Sequence, residues 1–145
     1  MADIPPVLRS YINGLKTHDV QMVASAVSED LAFVSLGRTL NKSQFLDMLR
    51  ALYTAFPDWH YDHSQPEVRE GDIAIKWRQC GTHSGTFAMS GLDPIEGTGR
   101  TVTIPEQYFF YKIRDDKILE IRPEPVPGGA PHGILAQIGV TTTTL

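Results

Sequence analysis

Two incompatible repeats of apolar residues meet at Pro57, and this junction limits the fold more than any other feature of the chain. Ahead of it the apolar positions recur every three or four residues, as on one side of a helix with its turn of about 3.6 residues. Val7, Leu8, Tyr11, Ile12 and Leu15 predict a helix from Pro5 to Lys16, where the paired prolines suit a first turn. Asp19 is placed to cap a short helix over Val20 to Val27, and Leu31 to Ser35 reads as a brief strand. Asn41 or Ser43 caps a third helix running through Tyr53, with Phe45, Leu46, Leu49, Leu52 and Tyr53 on its apolar side. Beyond Pro57 the pattern alternates, predicting strands over Trp59 to Glu67, Ile73 to His83, Thr101 to Ile113 and Lys117 to Ile121. Glu70-Gly71-Asp72 and Arg114-Asp115-Asp116 are tight turns, and Gly91 to Arg100 is a loop. Helices first and a strand meander afterwards imply an α+β fold, about three helices covering one face of a curved antiparallel sheet.

A chain of 145 residues suits one domain, drawn here over residues 1 to 140, with Thr141 to Leu145 as a flexible polar tail. The net charge of −4 comes without any cluster of lysine and arginine, which argues against a nucleic-acid partner. No run of about eighteen apolar residues occurs, so no membrane span is expected, and nothing near Met1 reads as a secretion signal. Cys80 is alone, which excludes an internal disulfide and fits a cytoplasmic location. His18, His60, His63, His83 and His132 lack metal-ligand spacing, and Gly97-Thr98-Gly99 sits between strands and does not open a helix. Neither a metal nor a nucleotide cofactor is therefore expected.

Alternation along the strands divides the side chains by face. Lys76, Arg78 and Cys80 fall opposite Ile75, Trp77, Gln79 and His83, and the charged set belongs outside. Gln107 shares a face with Phe109 and Tyr111, whereas Glu106 goes with Tyr108, Phe110 and Lys112; the Gln107 face is read as interior, unless a bulge at Pro105 reverses it. Trp59, Tyr61 and His63 form one set, and the direction of that set is open. Tyr11 and Phe33 complete an aromatic lining suited to a flat apolar ligand. Tyr108 and Phe110 together on the outer face predict a homodimer.

Four segments carry a resemblance: Gly81-Thr82-His83-Ser84-Gly85-Thr86-Phe87, Gly97-Thr98-Gly99-Arg100-Thr101-Val102, Asp115-Asp116-Lys117-Ile118-Leu119-Glu120 and Gly133-Ile134-Leu135-Ala136-Gln137-Ile138-Gly139. With them the chain resembles the SnoaL-like polyketide cyclases, roughly from the first helix to Gly139. The resemblance implies a nuclear-transport-factor-2-like (cystatin-like) cone whose hollow interior holds a hydrophobic substrate. It also implies an aspartate a few residues after the Lys-Ile-x-Glu segment that shuttles protons during ring closure. The matching positions are Arg122 for its preceding aromatic and about Val126 for the aspartate, and neither is retained; the nearest carboxylate is Glu124. The resemblance then implies another reaction, such as hydroxylation, or ligand binding alone.

His83 is the foremost candidate for acid/base chemistry, because imidazole can titrate near neutrality and this one closes a glycine-flanked turn on the inward face. The competing possibility is a turn histidine bonded to backbone. Glu124 is a second candidate, since burial would turn its carboxyl into a proton shuttle, although the prolines beside it favour a solvated rim position. Glu106 is a base only if it points inward. Gln79 and Gln107 are candidates to orient a carbonyl, and Arg122 to attract an anionic group or else to pair with Glu120 or Glu124. Trp59, Trp77, Tyr11, Phe33, Phe109 and Tyr111 are the candidate walls. Two functions fit: a cofactor-free cyclase, isomerase or hydroxylase acting on a small hydrophobic, carbonyl-bearing molecule, or a non-catalytic module for ligand binding or dimerisation.

Overall fold

The computed structural model describes residues 5–35, 38–88, 93–130 and 132–139. The expected tail, residues 141–145, and the first part of the loop after Ala88 lie outside the described residues. Helix α1 (Pro6–Lys16) starts on Pro6, whose missing N–H would have no helical partner anyway. Helix α2 (Val20–Ala26) is capped by Asp19, which accepts from the Met22 amide. Gly14 lets α2 pack close, since a Cβ there would lie 2.7 Å from Val23. Helix α3 (Lys42–Ala55) is capped by Asn41 and not Ser43, in a reciprocal box with Gln44, and it runs two residues past Tyr53.

Seven strands form one curved sheet: β1 (Val27–Ser35), β2 (Arg38–Leu40), β3 (His60–His63), β4 (Glu67–Arg69), β5 (Asp72–Thr82), β6 (Thr101–Arg114) and β7 (Lys117–Pro123). The order is β2-β1-β7-β6-β5-β3, with β4 also on β5. The sheet is mixed, in contrast to the antiparallel arrangement expected: β1 runs parallel to β7, because the chain leaves β1, crosses through α3 and returns by hairpins. The strand expected over Trp59 to Glu67 is divided. The Ser64 amide still donates to the Lys76 carbonyl while its hydroxyl accepts from the Lys76 amide, and the chain then leaves the ladder at Gln65 and Pro66, which has no N–H to give.

Both expected turns are two-residue hairpins. Arg69 pairs with Asp72 across Glu70-Gly71, and Arg114 with Lys117 across Asp115-Asp116, all four turn residues having φ between 51° and 85°. A fourth helix, α4 (His132–Gln137), has no counterpart among the elements expected from the sequence. Ile134, Leu135 and Ile138 are buried there, and the Gln137 amide bridges both backbone groups of Thr103, docking α4 on the start of β6. The helices and the inner sheet face enclose a single apolar cluster reaching from Leu8 to Ile138.

Candidate functional site

On β5 the inner face carries Ile75, Trp77, Gln79, Gly81 and then His83, all buried, and the outer face carries Lys76, Arg78 and Cys80. Across on β6, Trp77 pairs with Gln107 but Gln79 pairs with Ile104, so two residues, Pro105 and Glu106, oppose Arg78. This bulge reverses the phase between Ile104 and Gln107 and leaves both inside. Gln107, Phe109 and Tyr111 are inward. The set left open along Trp59 to His63 also points in: Trp59 and Tyr61 are buried and His63 is half-buried.

Phenols and indoles dominate this face. The Trp77 Nε1–H donates to the Tyr111 hydroxyl at 2.8 Å, and the Tyr11 ring meets the Tyr111 ring edge-on at 5.5 Å. The Tyr53 and Tyr61 hydroxyls are 2.8 Å apart. His18, at a positive φ of 57°, lies flat on Tyr53 with centroids 4.0 Å apart and donates from Nε2 to the Trp59 carbonyl at 2.7 Å. Burial pushes the hydroxyls of Tyr11, Tyr53, Tyr61 and Tyr111 well above the ordinary phenol range, so each remains a neutral donor. Tyr53 and His18 were missed as polar groups in the sequence, because helical periodicity reads Tyr53 only as apolar and nothing marks the bend at His18.

His83 follows the end of β5 and is 0 % exposed. Its ring stacks on Phe56, centroids 5.2 Å apart, and Phe56 in turn meets Trp59. Backbone bonds bind its segment to the Gly97 to Arg100 loop: the His83 amide donates to the Arg100 carbonyl and the Gly99 amide to the His83 carbonyl, both at 2.9 Å. On the other side, the Ser84 and Gly85 amides donate to the Ala55 carbonyl at the end of α3. Position 85 must be glycine, because a Cβ would stand 2.2 Å from the Thr54 oxygen. Nδ1 of His83 lies 3.0 Å from Thr98 Oγ1 and 3.3 Å from the Thr98 backbone nitrogen, which donates to it. Nε2 has no partner, the one such buried side-chain nitrogen or oxygen among the described residues. His83 is thus bonded to a turn through one nitrogen and unsatisfied at the other.

Several expected site residues lie elsewhere. Glu106 is on the outer face, 3.3 Å from Lys76, so the condition for its acting as a base is not met. Arg122 is also outside: it pairs with Asp72 and with Glu120 at 2.8 Å, covers the Phe110 ring, and lines an outer cleft with Arg69 and Glu70. It does not face the interior. Gln107 is inside but its amide is fully engaged, donating to the Glu124 carbonyl at 2.7 Å and the Ala130 carbonyl at 3.3 Å, and accepting from the Ala130 amide at 3.0 Å. Glu124 is half-buried just past the end of β7, its carboxylate accepting weakly from the Tyr108 amide at 3.4 Å. Gln79 accepts from Trp59 Nε1 at 3.2 Å, and Phe33 packs on Phe45. The side chain of His132 lies outside what is described. No three His, Cys, Asp or Glu side chains gather as a metal site among the described residues.

Comparison with known proteins follows the same lines. The sequence model of the family described as SnoaL-like polyketide cyclase matches residues 6–124, stopping short of the Gly133 to Gly139 segment. No curated protein matches the sequence. Among solved structures, AclR from Streptomyces galilaeus, a candidate hydroxylase, is similar with a TM-score of 0.66 at 17% identity, over 81% of this chain and 71% of that one. A candidate SnoaL-like polyketide cyclase from Jannaschia sp. CCS1 gives 0.66 at 12% identity, covering 97% and 99%. A protein with a ketosteroid isomerase-like fold from Catenulispora acidiphila, in complex with trimethylamine, gives 0.63 at 13%, covering 96% of each. At such identities the likeness is one of fold, and the fold is the cone expected from the sequence.

Proposed function

Since the chain belongs to the SnoaL-like polyketide cyclase family, we propose that it binds a small, largely apolar molecule bearing a carbonyl oxygen between the helices and the inner sheet face. Side chains of the protein then act on that molecule by acid/base chemistry, with His83 as the group that meets it. The observation carrying this reading is the unpartnered Nε2 of His83: a buried polar atom without a hydrogen bond costs roughly 1–3 kcal/mol, a cost that a ligand oxygen would remove. The rest of the buried polar set has the same character. Among the described residues it holds His83, Gln79 and Gln107, with the neutral phenols, and no carboxylate. Such an interior suits an acceptor oxygen and disfavours a cation.

Simple carbonyl compounds suffice for a test, whatever the natural substrate. Aryl ketones and β-keto esters are incubated with the protein in deuterated water, and exchange of the protons next to the carbonyl is followed by NMR. The protein accelerates exchange for at least one of them, and His83→Asn lowers that rate at least about tenfold, since Asn keeps an acceptor where Nδ1 stood but has nothing at Nε2. Exchange that survives the substitution undiminished overturns the role of His83.

The engaged amide of Gln107 and the contact of the Glu124 carboxylate with the Tyr108 amide favour a second reading, ligand binding without turnover. Its signature is saturable binding of the same ketones with no exchange above buffer. Under either reading we propose a homodimer through the outer sheet face, where Tyr108 and Phe110 stack with centroids 6.2 Å apart. Among the described residues no helix is long and apolar enough to cross a membrane.

A further inference from the structure

We infer that Thr98 is a positioning residue: it holds His83 in the tautomer whose proton is on Nε2, so that the imidazole meets an incoming molecule as a neutral hydrogen-bond donor and not as a base. The inference rests on His83 being the ligand-facing group, and it narrows the ligand to one offering an acceptor oxygen at that point.

Donors and acceptors around Nδ1 decide the tautomer. The backbone N–H of Thr98 can only donate, and it is aimed at Nδ1 from 3.3 Å. Were Nδ1 also to carry a proton, two N–H groups would point at each other. The Thr98 hydroxyl agrees with the same assignment, because its oxygen already accepts from the Arg100 amide at 3.3 Å and its proton is free to go to Nδ1 at 3.0 Å. Nδ1 therefore receives up to two donors and keeps its lone pair, leaving the ring proton on Nε2.

The loop that makes these contacts is held in place independently of the side chains. Gly97 packs so tightly on the turn that a Cβ would stand 2.5 Å from the Ser84 oxygen, and Gly99 needs its positive φ of 72°. Thr98 is itself exposed, whereas His83 beneath it is fully covered. The residue therefore works as a cover that both shields Nδ1 and dictates its protonation. For Nε2 to abstract a proton, the ring would have to change tautomer, lose the Thr98 backbone donor and turn the Thr98 hydroxyl round to accept. A hydrogen bond from Nε2–H to a carbonyl oxygen needs none of these changes, and it polarises the carbonyl for attack or enolisation without full proton transfer.

The tautomer is read directly by long-range proton–nitrogen NMR of the imidazole rings in the ligand-free protein, the His83 signals being identified by their loss in His83→Asn. The expected pattern is a bare, pyridine-type Nδ1 and a protonated, pyrrole-type Nε2. In Thr98→Val, which removes the hydroxyl but keeps the backbone donor, the tautomer ratio falls by about 2- to 10-fold, and Thr98→Ser restores it. A wild-type spectrum with the proton on Nδ1, or a Thr98→Val spectrum identical to wild type, overturns the inference. Because this readout uses no ligand, it fails separately from the ketone exchange that tests the functional reading.

Discussion

Replacing Gln107 with leucine separates a substrate-orienting amide from a structural one. Gln107 is 2 % exposed, and its side chain makes three bonds to the backbone of residues 124 and 130, closing the segment after β7 onto the bulge. Leucine has nearly the same volume, so no large cavity opens and the loss is almost wholly polar. Three neutral bonds at roughly 0.5–1.5 kcal/mol each set an upper range of about 1.5–4.5 kcal/mol. Glu124 and Ala130 are only half-buried, so water can reach part of what is orphaned, which places the expected loss near 2–3 kcal/mol. Urea unfolding followed by circular dichroism measures it, the midpoint falling by about 1 M at an ordinary slope of roughly 2 kcal/mol per molar. Gln107→Glu supplies the sign. At neutral pH it places a carboxylate oxygen against two carbonyls, which with burial raises the folded-state pKa above the unfolded value of about 4.3. Its stability is therefore highest below about pH 4.3 relative to the parent and is lost as pH rises through the folded pKa. A loss under about 1 kcal/mol in Gln107→Leu, or no such pH trend in Gln107→Glu, refutes the structural assignment and returns the amide to the candidate substrate contacts.

Other outcomes follow from the same geometry. Gly85→Ala would drive a methyl into the Thr54 carbonyl at 2.2 Å, and thermal unfolding is expected to drop by about 10 °C or more, at roughly 3 °C per kcal/mol. Asn41→Ala breaks the capping box of α3 and costs about 1 kcal/mol in a urea titration. Tyr11, Tyr53, Tyr61 and Tyr111 stay neutral while folded, so stability is fully present below the unfolded phenol pKa of about 10 and falls as pH rises past it. An ultraviolet titration is expected to show these four phenolates arising only together with loss of the native circular dichroism. Light scattering at micromolar concentration is expected to give the mass of a dimer, and Phe110→Arg to give a monomer.

What the sequence disclosed and what it hid follow one physical division. Contacts local in sequence were legible: the Asn41 cap, the Glu70-Gly71 and Asp115-Asp116 hairpins, and the faces of β5, where Lys76 and Arg78 could only be outside. Contacts that depend on distant segments were not. Nothing near Val27 says that β1 will lie parallel to β7, and nothing near Gln107 says that residues 124 and 130 will use up its amide. His83 stood out because glycines flank it, whereas Thr98 did not, since its role exists only once a loop fifteen residues away folds over the ring.

The bulges decide which way the charged candidates point, and the interior reading of the Gln107 face holds with a bulge at Pro105 present. Counted onward from Val102 and Ile104, the next inward position is Glu106; the extra residue at Pro105 sends it out to Lys76 and brings Gln107 in. A second irregularity opposite Lys112 and Ile113 leaves Leu119 without a partner, so that Ile118 and Ile121 both point inward and Glu120 and Arg122 form an ion pair outside. Each bulge thus removes a charge from the face that holds the phenols and the imidazole. Moving a charge into that apolar face would cost several kcal/mol, whereas neutral N–H and O–H donors need only one acceptor each. With His83 in the tautomer proposed above, the described buried groups act on a ligand by polarising an oxygen, and a proton acceptor is then supplied by water or by the ligand itself.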